Sequence, residues 1–304
     1  MVRAVTYILL AFTLLCSCSS SVKDIQRYQL HGNVECIEIW ECEDSTSLQG
    51  AQNNVNTSLR GRERSASKPV ASCSEAACGC RNGTSATWQS THFNTNGMLD
   101  SIITYSPQDT LRHIYVYNSK GLLSEIRILH TDGKYEALYE YEYKGKTISS
   151  YAFRGVDMQV LYRWDYDIKD DKQTGCRCYN EGVLINRSEF TYDGLNKTET
   201  VYSPDDEPWG TTTYTYAAPA TISSISGDGF EIIVEYGEDR LPSKSINGII
   251  GPDGEIFTNA DSRHYGTIHY EYVLDDKGNW IERLELLGDE KAKGKTIRRK
   301  IIYR

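Results

Sequence analysis

Seven cysteines carry most of the reactive chemistry in the body of this chain: Cys36, Cys42, Cys73, Cys78, Cys80, Cys176 and Cys178. Two C-x-C pairs, Cys78-Gly-Cys80 and Cys176-Arg-Cys178, bring four sulfurs, the number that a tetrahedral zinc site takes. Zinc ligands usually stand two to four residues apart rather than one, so this spacing is a poor fit. Asp165, Asp167, Asp170 and Asp171 gather oxygens, but without EF-hand spacing or a glycine at the sharp turn. They read as a solvated turn. Gly288 to Gly294, followed by Lys295 and Thr296, has the outline of a phosphate-binding loop. Five residues separate its glycines where the motif needs four, so it reads as a charged hairpin turn into the last strand. The six histidines form no His-Glu-x-x-His pattern, and there is no Gly-x-Ser-x-Gly elbow. Carboxylate pairs that cleave glycosides have no fixed spacing, so an envelope hydrolase stays open as an alternative. No residue is assigned a catalytic, cofactor or metal role, and the expectation is a protein that is not an enzyme.

The N-terminus supplies the compartment for those thiols. Met1-Val2-Arg3 is a short cationic start, and Ala4 to Leu15 is an apolar run of twelve. Twelve residues are too few to span a bilayer and fit the core of a signal peptide. Leu15-Cys16-Ser17-Cys18 then leads into three serines. This resembles the lipobox of bacterial lipoproteins, which implies cleavage after Ser17 and a lipid on Cys18. Ser19 stands where an aspartate would favour inner-membrane retention, so the resemblance points to the outer membrane of a Gram-negative cell, with either face open. Export makes disulfides the default for the seven remaining cysteines. Cys36 and Cys42, six apart, would share one face of a regular strand and could receive Cys73, Cys78 or Cys80. Seven is odd, so at least one thiol stays free or pairs between molecules.

The elements that must position these groups are strands. The chain has 22 tyrosines against 6 phenylalanines, a balance suited to half-buried sheet surfaces. A net charge of -9 excludes a general nucleic-acid binder. Strict alternation recurs: Tyr139, Tyr141 and Tyr143 oppose Glu140 and Glu142, and Tyr162, Trp164 and Tyr166 oppose Arg163 and Asp165. Asn96-Gly97, Asp132-Gly133, Asp193-Gly194 and Asp228-Gly229 are hairpin signals. An aromatic residue ahead of a turn returns at spacings of 24, 26, 23, 26, 24, 20 and 36 residues from Phe93 to Tyr272. Such a period marks a repeat architecture.

Tyr117-Asn-Ser-Lys-Gly121-Leu-Leu123 and Tyr272-Val-Leu-Asp-Asp-Lys-Gly278-Asn-Trp280 resemble the tyrosine-aspartate (YD) repeats of RHS-type proteins. The chain looks most like short lipoproteins built from degenerate repeats of this kind. The resemblance implies an extended, curved antiparallel β-sheet of repeated hairpins. It implies no toxin-enclosing shell, because seven or eight repeats are too few to close one. The expected organisation is a signal peptide (1–17), a lipidated tether (18–30), a first strand (31–43), a Ser/Asn/Cys-containing insert (44–87) and a β-repeat domain (88–304). The expected role is binding or scaffolding in the envelope, with a membrane contact through Cys18, a protein or glycan ligand, no cofactor and no nucleic acid. A component related to polymorphic toxin systems is the remaining alternative. Arg298, Arg299 and Lys300 would protect an exposed edge strand.

Overall fold

The computed structural model describes residues 30–42, 88–106, 109–218, 221–250, 256–257, 266–288 and 290–304. The expected signal peptide, most of the tether and the insert lie outside these residues. So do Cys18, Cys73, Cys78 and Cys80, and the side chain of Cys42.

Among the described residues nineteen strands follow in order: β1 (Val34–Cys42), β2 (Trp88–Phe93), β3 (Leu99–Tyr105), β4 (Thr110–Tyr117), β5 (Leu123–His130), β6 (Tyr135–Lys144), β7 (Thr147–Arg154), β8 (Val160–Lys169), β9 (Lys172–Asn180), β10 (Val183–Asp193), β11 (Asn196–Tyr202), β12 (Pro208–Ala218), β13 (Thr221–Gly227), β14 (Phe230–Tyr236), β15 (Pro242–Ile250), β16 (Ile256–Phe257), β17 (Gly266–Leu274), β18 (Trp280–Leu287) and β19 (Ala292–Tyr303). Each strand pairs antiparallel with its neighbour in sequence, except that β15 pairs with both the two-residue β16 and β17. β1 also pairs with β19, from Val34↔Tyr303 to Cys42↔Thr296. The sheet is therefore a closed barrel of eighteen strands, with β16 as a short addition.

This corrects the expected open sheet. The all-β, hairpin-built character holds, but the ring closes. Charged β19 is not an edge: it lies between β1 and β18, and Arg299 is buried. Closure removes both edges, which is a full solution to the edge-strand problem.

Two local devices make the sheet curl. The first is a recurrent turn. In Asn94–Met98, Asn118–Leu122 and Asp275–Asn279, the first residue's side-chain oxygen accepts the amide N–H groups two and four residues on, at 2.8–3.1 Å. The fourth residue is Gly97, Gly121 or Gly278, with φ of 74°, 73° and 81°, a conformation that costs an L side chain energy. The second device is a bulge just after such turns: the register slips between His92/Phe93, Val116/Tyr117 and Val273/Leu274. Bulges bend and twist the strand they interrupt, and they belong at barrel rims.

Tyrosines pin these corners. Tyr117 and Tyr143 donate to the carbonyls of Leu99 and Leu123 at 2.9 and 2.8 Å. Tyr192, Tyr236 and Tyr272 reach the carbonyls of Gln173, Ile222 and Pro242 at 2.9, 2.7 and 2.8 Å. Each tyrosine stands near the end of its strand, and each acceptor near the start of the strand it pairs with. The ring packs on the sheet while the hydroxyl satisfies a carbonyl freed by the bulge.

The two faces differ. Tyr115, Ile126, Ile128, Tyr139, Tyr141 and Tyr151 are buried and form one cluster with Ile37, Phe93, Leu99 and Ile102. A contiguous apolar cluster drawn from so many strands of a closed ring belongs to its inside, so this is the inward face.

Candidate functional site

The inward wall of β6–β10 is aromatic. Cross-strand register brings Tyr141, Tyr151, Trp164 and Cys178 into one row, and Tyr139, Phe153 and Tyr162 into the next. Tyr151 stacks on Trp164 with centroids 4.2 Å apart and planes 11° apart. Tyr139–Phe153 and Tyr162–Trp164 follow at 5.0 and 5.7 Å. Tyr166 carries the array to Phe190 at 6.5 Å. Burial pushes the Tyr151 and Tyr141 hydroxyls well above the ordinary tyrosine range, so both stay protonated. Tyr162, Trp164 and Tyr166 are only half-buried, so part of this wall meets the lumen.

Across β11 to β14 the inward residues Lys197, Glu199, Tyr214, Ile225, Ile232 and Val234 are all half-buried. The lumen is thus packed against β1–β7 and looser on this side. Lys197 Nζ lies 3.8 Å from the Phe190 ring centre, a cation–π contact within the lumen.

A charged corner completes the wall at β17–β19. Arg299 lies over the Trp280 ring at 3.8 Å, and its Nε donates to the Trp280 carbonyl. Burial lowers its guanidinium to about 10, and Nη2 has no hydrogen-bond partner. Arg283 pairs with Glu285 at 2.6 Å and faces the rings of Tyr270 and Trp280 at 5.5 and 5.6 Å. Sequence reasoning missed this corner. Ile297 and Ile301 flank Arg299 on one strand face, and an arginine in the middle of an apolar face was the available signal.

The outward face is charged. Arg154–Glu140, Arg163–Asp165 and Arg177–Asp167 pair at 2.6, 2.7 and 2.9 Å. Arg298–Glu282 and Lys300–Glu38 pair at 2.6 and 3.5 Å. β11 and β12 add Thr198 facing Thr213 at 3.3 Å and Thr200 facing Thr211 at 3.4 Å. A lipid-spanning barrel has the reverse arrangement, an apolar band outside and a polar lumen. Each arginine or lysine turned to the bilayer midplane would cost about 2–4 kcal/mol. Among the described residues, no helix is long and apolar enough to cross a membrane.

The candidate cysteines divide between the faces. Cys36, Cys176 and Cys178 are buried and stand as free thiols. Cys36 is on the outward face of β1, its Sγ 3.9 Å from His92 Nε2. Cys176 and Cys178 face inward beside Tyr166 and Trp164, their partners in register. Cys36 is therefore on the opposite side of the sheet from the other two. Burial raises the Cys36 thiol to about 11 and Cys178 to about 12, so neither is a ready nucleophile. No group of three or more His, Cys, Asp or Glu side chains among the described residues could hold a metal ion. Asp165 and Asp167 are engaged by arginines, and Asp170 and Asp171 form the β8–β9 turn with φ of 51° and 59°.

No family model matches the chain, and no curated protein matches it. Among solved structures, a porin-like protein from Bacteroides uniformis ATCC 8492 is similar at TM-score 0.40 and 10% identity, over 88% of this chain and 98% of that one. A porin-like protein from Bacteroides vulgatus ATCC 8482 is similar at TM-score 0.35 and 11% identity, over 64% and 94%. A chain of the TcdB2–TccC3–Cdc42 complex is similar at TM-score 0.26 and 10% identity, over 69% of this chain and 15% of that one. Scores this low carry no argument; the fold assignment rests on the strand pairing itself.

Proposed function

We propose that the chain is a lipid-anchored protein of a Gram-negative cell envelope, and that its barrel stands in water and acts by binding rather than by catalysis. The observation that carries the reading is the inversion of the barrel's faces, with ion pairs outside and stacked aromatics inside. A water-facing body then needs a separate means of holding to a membrane. The apolar run Ala4 to Leu15 and the Leu15-Cys16-Ser17-Cys18 motif supply one.

The half-buried Tyr162, Trp164, Tyr166 and Tyr214 offer ring faces to the lumen, with Lys197 and Glu199 among them. Ring faces beside hydrogen-bonding groups suit a sugar chain, and an envelope glycan is the ligand class this lumen favours. Cell fractionation and ligand titration test the two halves separately. Cys18→Ala should move the protein out of the membrane fraction and leave it soluble without detergent. Envelope oligosaccharides should change the tryptophan fluorescence of that soluble form, and Trp164→Ala should weaken the response. A Cys18→Ala protein that stays membrane-bound would remove the anchor. A lumen unresponsive to every envelope oligosaccharide would remove the ligand class.

A further inference from the structure

Seven large apolar side chains are exposed among the described residues, and four of them stand at three consecutive hairpin tips on one rim. Val156 and Met158 lie in the β7–β8 turn, 66% and 37% exposed. Val183 adjoins the β9–β10 turn at 67%, and Trp209 the β11–β12 turn at 61%. Each tip also holds one non-glycine residue in the left-handed region: Met158 (φ 62°), Glu181 (φ 48°) and Asp206 (φ 66°). Such conformations are unfavourable for L side chains and persist only where surrounding structure enforces them. Hydrogen bonds do so: Met158 N–H to the Gly155 carbonyl at 2.9 Å, Glu181 N–H to Leu161 at 2.9 Å and Asp206 N–H to Ser203 at 3.1 Å.

The same tips are acidic. Asp157, Glu181, Asp205, Asp206 and Glu207 lie in these three turns, with Asp228 in the next one, and these turn segments contain no lysine or arginine. Arg187, at the base of the rim, is taken up by Asp206 and Glu189 at 2.5 and 2.7 Å.

The chain before Leu30 comes in at the other rim. His31 is held there by Asn279, in the β17–β18 turn. On the anchored reading above, the membrane lies beyond that rim and the apolar tips point away from it. Charge agrees, since the carboxylates would be repelled by anionic headgroups.

We propose that the tips carrying Val156, Met158, Val183 and Trp209 form a docking surface for a cationic amphipathic segment of a partner protein. Neighbouring tips are two strands apart, about 10 Å, so the row is about 20 Å long. That is the length of a helix of about 13 residues. Apolar positions of the segment would cover Trp209 and the valines, and its lysines or arginines would meet the carboxylates between them.

This inference rests on the reading of the chain as a binding protein, but it can be measured in solution without the anchor. The probe is a helical peptide of about 14 leucines and lysines, arranged with the apolar residues on one face, titrated into the full chain carrying Cys18→Ala. The expected result is saturable binding that weakens with salt. Trp209→Ser with Val183→Ser should weaken it tenfold or more, while Leu195→Ser on the other rim leaves it unchanged. Circular dichroism confirms that the variants keep their strands; all substituted positions are exposed. Equal binding by the rim variant and the unsubstituted rim would overturn the proposal. So would rim-dependent binding to phosphatidylglycerol vesicles in place of the peptide, or a dimer that Trp209→Ser dissolves. A Cys18→Ala chain that remained in the membrane would instead overturn the anchor and leave the rim measurement standing.

Discussion

Asn279 holds the backbone of His31 from 248 residues away. Its Oδ1 accepts the His31 N–H at 2.7 Å, and its Nδ2 donates to the His31 carbonyl at 2.9 Å and to the Tyr303 hydroxyl at 2.6 Å. Asn279 is 1% exposed. One amide thus joins the start of β1, the β17–β18 turn and the end of β19, the three elements that meet where the ring closes. Arg304 continues the seam, its N–H bound to the Asn33 carbonyl at 3.0 Å and its side chain to the carbonyls of Phe93 and Asn94.

Asn279→Ala should therefore be among the most damaging substitutions of a polar residue. It deletes both hydrogen bonds to the His31 backbone and the one to the Tyr303 hydroxyl from a buried position, at an expected cost of about 1–3 kcal/mol. Urea unfolding followed by circular dichroism measures this. A loss below about 0.5 kcal/mol would mean that the seam is held elsewhere.

The corner tyrosines should behave as separable pins. Tyr143→Phe keeps the ring and deletes only the donor to Leu123, so about 1 kcal/mol is expected. Tyr117→Phe should cost about the same. The two corners are about 10 Å apart, so the double variant should lose close to the sum.

Two glycines should separate backbone strain from close approach. A Cβ at Gly121 would meet nothing within 4 Å, so Gly121→Ala pays only for its φ of 73°, about 1–2 kcal/mol. A Cβ at Gly294 would lie 1.8 Å from the Glu285 carbonyl oxygen. Gly294→Ala must therefore push β18 and β19 apart and should cost more than Gly121→Ala in the same unfolding assay.

Those same turns mark how much was legible in the sequence. Tyr117-Asn-Ser-Lys-Gly121 is readable because its parts are local: a side-chain acceptor, a left-handed glycine and an aromatic pin. The alternation of Tyr139, Tyr141 and Tyr143 against Glu140 and Glu142 is readable for the same reason. Closure is not. It depends on the pairing of Glu38 with Lys300 across 262 residues and on curvature summed over many bulges, each a one-residue slip with no composition of its own. Arg299 was misread as edge protection because strand position, not residue type, decides whether an arginine is solvated or buried. The rim apolars Val156, Val183 and Trp209 were passed over because a single apolar residue in a turn means little until the ring sets three tips side by side.

His130 should make part of the stability depend on pH. Its Nδ1 meets Asp109 at 2.5 Å and its Nε2 meets Glu136 at 3.0 Å, tying the β3–β4 loop to β5 and β6. Hydrogen bonds to these two carboxylates raise its ring above the usual 6.5, favouring the charged form. A raised folded value means that the contribution is fully present below the unfolded value, about 6.5, and is lost as pH rises through the folded one. His130→Ala should lower stability at pH 5 and matter progressively less above pH 7. A variant effect that grows with pH would contradict the assignment.

Closure between β1 and β19 is the central claim, and a cross-link tests it most directly. Glu38 and Lys300 are register partners across that seam. Glu38→Cys with Lys300→Cys should form an intramolecular disulfide on mild oxidation, seen as faster migration on a non-reducing gel and absent from either single variant. Direct antiparallel partners have Cα atoms about 4.5–5.5 Å apart, within disulfide reach. In an open sheet of these strands the two residues would sit on opposite edges, roughly 80 Å apart. A double variant that forms no bridge, or only bridges between molecules, would contradict the barrel.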